Sequence, residues 1–283
     1  MSPTTSRPMA TIDPRVELDQ RGHRVPDDRS SPGDLEVRTV GVGDQPIADH
    51  EALFKAYGRF RAWVYTSVSS ILDPLTLNPD GTDFDHYDQS AIHLAALETV
   101  LVDGEIRRRV VGSTRLIFDI GSSDHPYVHA GLHPNLGRLP IDLDFPELAA
   151  TVDVRTERVR CEVSRYAAFH HRPTRQRRIS QLLRAGIGAV FTNGDAEIGY
   201  AIVEDKLADL LLRDGVAVQQ LTERRLLPKY QSVNFGARLD LAGMAAWMGT
   251  VTKGVPPEHV RIGNDYAVSR RPQTVPELRV LEC

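Results

Sequence analysis

The chain has 283 residues, 41% of them hydrophobic and 25% charged, a composition able to bury a substantial core. Its net charge of −4 excludes the domain-wide basic footprint that nucleic-acid binding requires, and no run approaches the roughly 18 uncharged apolar residues of a membrane helix. The N-terminal residues lack the apolar run of a secretory signal, and two cysteines, Cys161 and Cys283, make neither a disulfide framework nor a metal site, so a cytoplasmic protein with free thiols is expected.

Residues 1–34 mix Pro, Ser, Asp and Arg without periodicity and read as a disordered arm. Leu35–Val40 alternates apolar and polar residues, the pattern of a first strand. A helix follows over Ile47–Ser69, with Gly58 as a potential break, and the turn-rich stretch 73–84 predicts a loop. Ile92–Val102 and Ile106–Phe118 read as two strands joined by a tight turn at Asp103-Gly104, where the glycine accepts positive φ. A loop rich in Gly, Pro and His fills 119–140. Next come a strand over 159–169, an arginine-rich turn and an apolar-periodic helix over Ile179–Phe191. Glu197–Val203 reads as a strand, Glu204–Arg213 as a helix, and Val216–Leu221 and Ser232–Leu239 as strands. The folded domain is therefore expected over 35–240, with a helix at Leu241–Met248 and a polar tail making up 241–283.

Charged residues recur at informative places. Arg61 precedes Val64-Tyr65 on the first helix, and Asp85 and Asp88 lie in Phe84-Asp85-His86-Tyr87-Asp88. Arg115 closes Gly112-Ser113-Thr114-Arg115-Leu116, and Glu162 and Arg165 lie in Cys161-Glu162-Val163-Ser164-Arg165-Tyr166. Taken alone, Glu-x-x-Arg on a strand is a surface ion pair, because positions three apart point to opposite faces. Together, and in this order, the four motifs resemble those of the acyl-homoserine-lactone synthases, over roughly residues 50–220.

That resemblance implies a GNAT-like fold: an α/β protein with a mixed twisted sheet, flanked by helices, whose two central parallel strands splay apart to admit a pantetheine arm. It implies an acyltransferase that needs no cofactor and joins two substrates, an acyl donor (acyl carrier protein or acyl-CoA) and the amine of S-adenosylmethionine, for quorum-sensing signal production. Glu162 would serve as general base with Arg165 beside it. Arg61, Tyr65, Asp85, Asp88 and Arg115 would surround the acceptor, the charges forming a ring with Glu162 and Arg165. Backbone N–H groups from Tyr166 to Ala168 would receive the oxyanion.

The turn that holds pyrophosphate in GNAT enzymes is here Arg172-Pro173-Thr174-Arg175-Gln176-Arg177-Arg178, without glycine. Arg172, Arg175, Arg177 and Arg178 are read instead as a docking patch for the acidic acyl carrier protein. The family's Trp after the first-helix motif is replaced around Ile71-Leu72. Two further readings therefore stay open: an N-acyltransferase acting on a plain amino acid or another amine, and a catalytically silent GNAT-like binding protein. No metal is expected, because His125, His129 and His133 lack ligand spacing and the adjacent His170 and His171 should diverge.

Overall fold

The computed structural model describes residues 33–47, 51–102, 104–120, 132–133, 138–151, 159–193, 196–213, 216–239 and 260–261. Residues 1–32 of the expected N-terminal arm and the helix at Leu241–Met248 lie outside these residues, whereas Gly33 and Asp34 are already paired with Thr99 through backbone hydrogen bonds. Among the described residues ten strands form one sheet in the order β10-β1-β3-β4-β5-β6-β9-β7, with β2 added beside β1 and β8 beside β9. β1 is Leu35–Val42, β2 Gln45–Pro46, β3 Ala91–Val102, β4 Glu105–Phe118, β5 Val159–Ala168, β6 Ala196–Glu204, β7 Val218–Gln220, β8 Arg225–Leu227, β9 Ser232–Leu239 and β10 Val260–Arg261. Pairing is antiparallel except at β5/β6 and β1/β10.

Helices cover both faces. α1 (Glu51–Trp63) lies on one face, burying Leu53, Phe54, Tyr57 and Phe60. Gly58 does not break it: a Cβ there would stand 2.7 Å from the Phe84 ring, so the glycine serves close packing rather than flexibility. The helix ends instead in a π-helical turn, Val64–Val68, closed by Ser69 N–H donating to the Val64 carbonyl. α4 (Pro173–Asn193) covers the other face, with Ile179, Leu182, Leu183 and Ile187 in the main core. It approaches so closely that a Cβ on Gly112 would meet Ile179 at 2.7 Å and Leu183 at 2.9 Å, which explains the glycine of the Gly-x-x-Arg-Leu motif.

Two short helices, α2 (Pro140–Asp144) and α3 (Pro146–Thr151), follow the Gly/Pro-rich loop; they are too brief for a periodic signal. α5 is Asp205–Arg213. The arginine-rich segment is not a turn. Pro173 occupies the first helical position, where its missing N–H costs nothing, and Arg175, Arg177 and Arg178 lie in the opening turns of α4. His170 and His171 also depart from expectation. They fall beyond the end of β5, where strand alternation no longer applies, and their rings stack at 4.3 Å.

Candidate active site

The site is made by two breaks in regular pairing around β5. The first faces β4. Gly112 pairs with Ala168 and Ser113 with Ala167, but Arg115 pairs with Ser164, so Arg165 and Tyr166 together oppose Thr114 in a β-bulge. Arg165 sits there at φ 55°, a left-handed conformation costing roughly 1–2 kcal/mol for a non-glycine residue. Side chains hold it in place. The Tyr65 hydroxyl donates to the Tyr166 carbonyl at 2.9 Å, Thr114 Oγ1 donates to the Ser164 carbonyl at 3.2 Å, and the Tyr57 hydroxyl donates to the Thr114 carbonyl at 2.9 Å. The bulge interrupts strand alternation, and Glu162 and Arg165 therefore line the same cleft, contrary to the expectation that residues three apart diverge.

The second break faces β6. The parallel ladder runs from Val159↔Ala196 to Glu162↔Tyr200 and stops there. Beyond Glu162 the strands part around a cleft that is partly open to solvent. Val163 to Tyr166 form one wall and Ala201, Ile202 and Glu204 the other. Ile187, Leu207, Leu211, Val216 and Leu239, on the α4/α5 side, make that end apolar, whereas Tyr65, Glu162, Tyr230, Ser232 and Asn234 furnish a polar end.

Glu162 is 1% exposed, and its Oε2 accepts the Ile141 N–H at 2.7 Å. Burial pushes its pKa up to about 8, against the opposing pull of the Ile141 hydrogen bond and of Arg115. A carboxyl in this range exchanges a proton readily near neutral pH. Arg160, which the motif pattern did not single out, holds the helix that delivers the Ile141 N–H. Its guanidinium bonds both Asp142 oxygens, at 3.0 and 2.8 Å, and Asp119 at 2.6 Å. Lys229 pairs with Asp144 at 2.5 Å, tying α2 to the turn that carries Tyr230.

The expected ring of charges exists, but its membership differs. Arg61 bonds Asp83 at 2.8 Å and Asp88 at 2.9 Å; Arg115 bonds Asp88 at 2.9 Å and Asp85 at 2.7 and 3.0 Å. Arg165 approaches Asp83 at 3.5 Å and Asp85 at 3.8 Å. The third carboxylate is thus Asp83, not Glu162. No motif position marked it: Asp83 stands two residues before Asp85 in Thr82-Asp83-Phe84-Asp85. Burial raises the pKa of Asp88, yet Arg115 and Arg61 outweigh that and hold it far below the carboxylate range; burial keeps Asp83 raised. Arg61, Asp85, Asp88 and Arg115 do not line the cleft, and all but Asp85 are at most 2% exposed. Arg61, Asp88 and Arg115 form a scaffold beneath Arg165 and Asp85. The Asp85 side chain is 31% exposed and also caps the turn His86–Ser90.

The remaining expected residues divide. Tyr65 lines the cleft with the Arg165 guanidinium 5.3 Å above its ring, and Tyr166 lines it with its hydroxyl bonded to Ser180 at 2.8 Å. Ala168 returns to the β4 ladder and is not in the lining. Arg172 and Arg177 are exposed and Arg178 is half-buried. Arg175 turns to Glu98, at 2.8 Å, an anion that also binds Arg109. Arg108 likewise pairs with Glu36, so the Arg107–Arg109 cluster is largely internal ion-pair chemistry. Among the described residues no group of three or more His, Cys, Asp or Glu is arranged to hold a metal ion, and no helix is long and apolar enough to cross a membrane.

This architecture recurs in solved structures. BjaI, a CoA-dependent acyl-homoserine lactone synthase seen with SAM and isopentyl-CoA, superposes with a TM-score of 0.55 at 20% identity, over 83% of this chain and 97% of that one. The chain has the fold of the acyl-homoserine lactone synthases. The synthase LasI matches with a TM-score of 0.51 at 15% identity, over 74% of this chain and 91% of that one. TofI, in a ternary complex with an inhibitor and MTA, matches with a TM-score of 0.50 at 17% identity, covering 76% and 96%. No protein-family model and no curated protein sequence matches the chain. The splay of β5 from β6 that the resemblance implied is present in this chain.

Proposed function

We propose that this protein is an N-acyltransferase that joins an acyl group from a pantetheine thioester to the amine of S-adenosylmethionine and closes the product to an acyl-homoserine lactone. The observation that carries the reading is the buried carboxyl of Glu162 at the point where β5 and β6 part, facing a cleft with one polar and one apolar end. The acceptor nitrogen attacks the thioester carbonyl as Glu162, directly or through a water, takes its proton; the C–S bond then breaks and the thiol leaves. Backbone N–H groups of β5 from Tyr166 onward receive the oxyanion. Arg165 and Asp85 hold the acceptor's carboxylate and ammonium. In the second step the acceptor carboxylate oxygen displaces the sulfonium, forming the lactone and releasing methylthioadenosine.

The solved synthases support this reading through what they hold: BjaI has been seen with SAM and isopentyl-CoA and TofI with MTA. One observation favours a plain amino acid as acceptor instead. Where the resemblance expects a Trp, Ile71 lines the cleft and offers no aromatic face to a sulfonium cation. Mass spectrometry of the products from purified protein, acyl donors and S-adenosylmethionine or free amino acids separates the two. Lactone with stoichiometric methylthioadenosine is the expected outcome; acyl amino acid without lactone would install the second reading.

Acyl carrier protein in the cytoplasm is the donor assigned to the basic start of α4, through the exposed Arg172 and Arg177 rather than Arg175. Reversing both charges, Arg172→Glu with Arg177→Glu, should raise KM for acyl carrier protein roughly tenfold at low salt, as lost electrostatic steering does, and leave acyl-CoA within about twofold. An unchanged, salt-independent KM would end the assignment.

A further inference from the structure

Glu162 is held from the side of α2 by residues that the proposed chemistry does not involve. Arg160 and Glu162 stand two apart on β5 and therefore point to the same face of the strand. Both reach α2. The Arg160 guanidinium bonds the two carboxylate oxygens of Asp142 at 3.0 and 2.8 Å, and Glu162 Oε2 accepts the N–H of the preceding residue, Ile141, at 2.7 Å. Neighbours on one face of the strand thus meet neighbours on the helix and close a loop, Arg160–Asp142–Ile141–Glu162. All four residues are buried. The loop is anchored beside β4 as well: Arg160 Nε donates to Asp119 at 2.6 Å, and the Asp119 N–H donates to the Arg160 carbonyl at 2.9 Å. Asp142 in turn accepts the Leu139 N–H at 3.0 Å, which fixes the start of α2.

A guanidinium forked onto both oxygens of a carboxylate fixes orientation as well as distance. Apolar residues of similar volume often serve stability as well as a buried ion pair does, so position is what this pair supplies. The N–H groups in the first turn of a helix have no partner within the helix, which lets Ile141 donate outward. We propose that Arg160 is a positioning residue for the general base: by gripping Asp142 it sets the Ile141 N–H against one oxygen of Glu162 and leaves the other oxygen turned to the acceptor amine. The inference rests on Glu162 acting as that base, yet the effect on its carboxyl is read without turnover. Other charged or titratable groups bear on the same carboxyl: Arg115 on β4, Asp144 on α2, Lys229 and Tyr230 in the turn before β9, Tyr87 in the turn His86–Ser90 and Cys161 on β5. The variants that test the proposal leave all of these in place.

The experiment follows the Glu162 carboxyl by carbon-13 NMR of the full-length protein labelled in its glutamate side chains, with Glu162→Gln identifying the resonance. Wild type, Asp142→Asn and Arg160→Lys are titrated, and thermal melts establish that each variant folds. The wild-type carboxyl should titrate at about 8. Asp142→Asn puts an NH2 group against one arm of the guanidinium and loosens the fork. It should move the midpoint up by about one pH unit, the weight of a hydrogen bond to a charged acceptor. Arg160→Lys keeps the charge but cannot reproduce the planar grip on Asp142, and should move the midpoint in the same direction. The sign separates position from field: removing the negative charge of Asp142 would by itself favour ionisation of Glu162 and lower the midpoint. A downward shift, or an unchanged midpoint in either folded variant, would overturn the proposal and leave Arg160 a residue of stability alone. In an acyl-transfer assay the pH at which kcat/KM levels off should rise with the midpoint. Absence of product from any amine would sink the acyltransferase reading, while the titration would still decide whether Arg160 positions the carboxyl.

Discussion

Glu162→Gln is expected to fold and to lose at least about a hundredfold in kcat, the lower range for removing a general base. The substitution suits the site because the carboxyl is buried and its pKa is raised to about 8 by burial, so glutamine resembles the protonated form that burial favours. Two pH measurements accompany it. Wild-type kcat/KM should rise with pH and level off above about 8, as Glu162 becomes free to accept a proton, and the residual activity of the variant should not follow that curve. Stability should show the opposite sign. A carboxyl whose folded pKa is raised carries no penalty below the ordinary carboxylate range, and accumulates one as pH rises towards about 8, because the folded state resists ionisation there. Unfolding free energy of wild type should fall over that window and that of Glu162→Gln should fall less. Wild-type turnover in the variant would make Glu162 a structural residue.

Asp88→Ala should destabilise the protein by about 3–5 kcal/mol, the range for removing one partner from a buried ion pair. Asp88 serves Arg61 at 2.9 Å, Arg115 at 2.9 Å and the Asp85 N–H at 2.6 Å, and Arg61 is wholly buried. Two guanidinium groups would lose their shared anion together. Urea unfolding followed by circular dichroism reads the change. Asp85→Asn provides the contrast: asparagine still caps the turn and Asp88 stays in place, so weakening the partly exposed ion pair to Arg115 should cost no more than about 1 kcal/mol of stability while having a larger effect on acceptor KM. If Asp88→Ala cost less than about 1 kcal/mol and instead raised acceptor KM, the buried triad would be substrate-binding machinery after all.

How far the sequence carries is clearest at these same residues. The hairpin β3–β4, the strand β5 and the apolar stripe of α4 were legible because their side chains follow periods set by local geometry, two in a strand and 3.6 in a helix. The charged motif residues were legible as a group, since three arginines and their acids in fixed order are hard to obtain otherwise. Their division into cleft and scaffold was not. Arg61, Asp88 and Arg115 differ from Arg165 only in what packs over them, and packing is contributed by α1, the turn at His86–Ser90 and β4, which are distant in sequence. Arg160 escaped notice for the same reason: its partners Asp119 and Asp142 lie 41 and 18 residues away.

The sequence by itself determined the α/β class and the run of strands through the centre of the sheet. Local periodicity and composition suffice for these; Glu162 and Arg165 stood out only through the resemblance carried by the four motifs in order. Tertiary structure decided that both residues face one cleft. Arg165 takes a left-handed conformation held by hydroxyls of Tyr65, Tyr57 and Thr114, and β5 loses β6 as a partner just after Glu162. A bulge and a splay are defects in pairing between strands, and the energies that place them come from groups brought together only when the sheet closes against its helices.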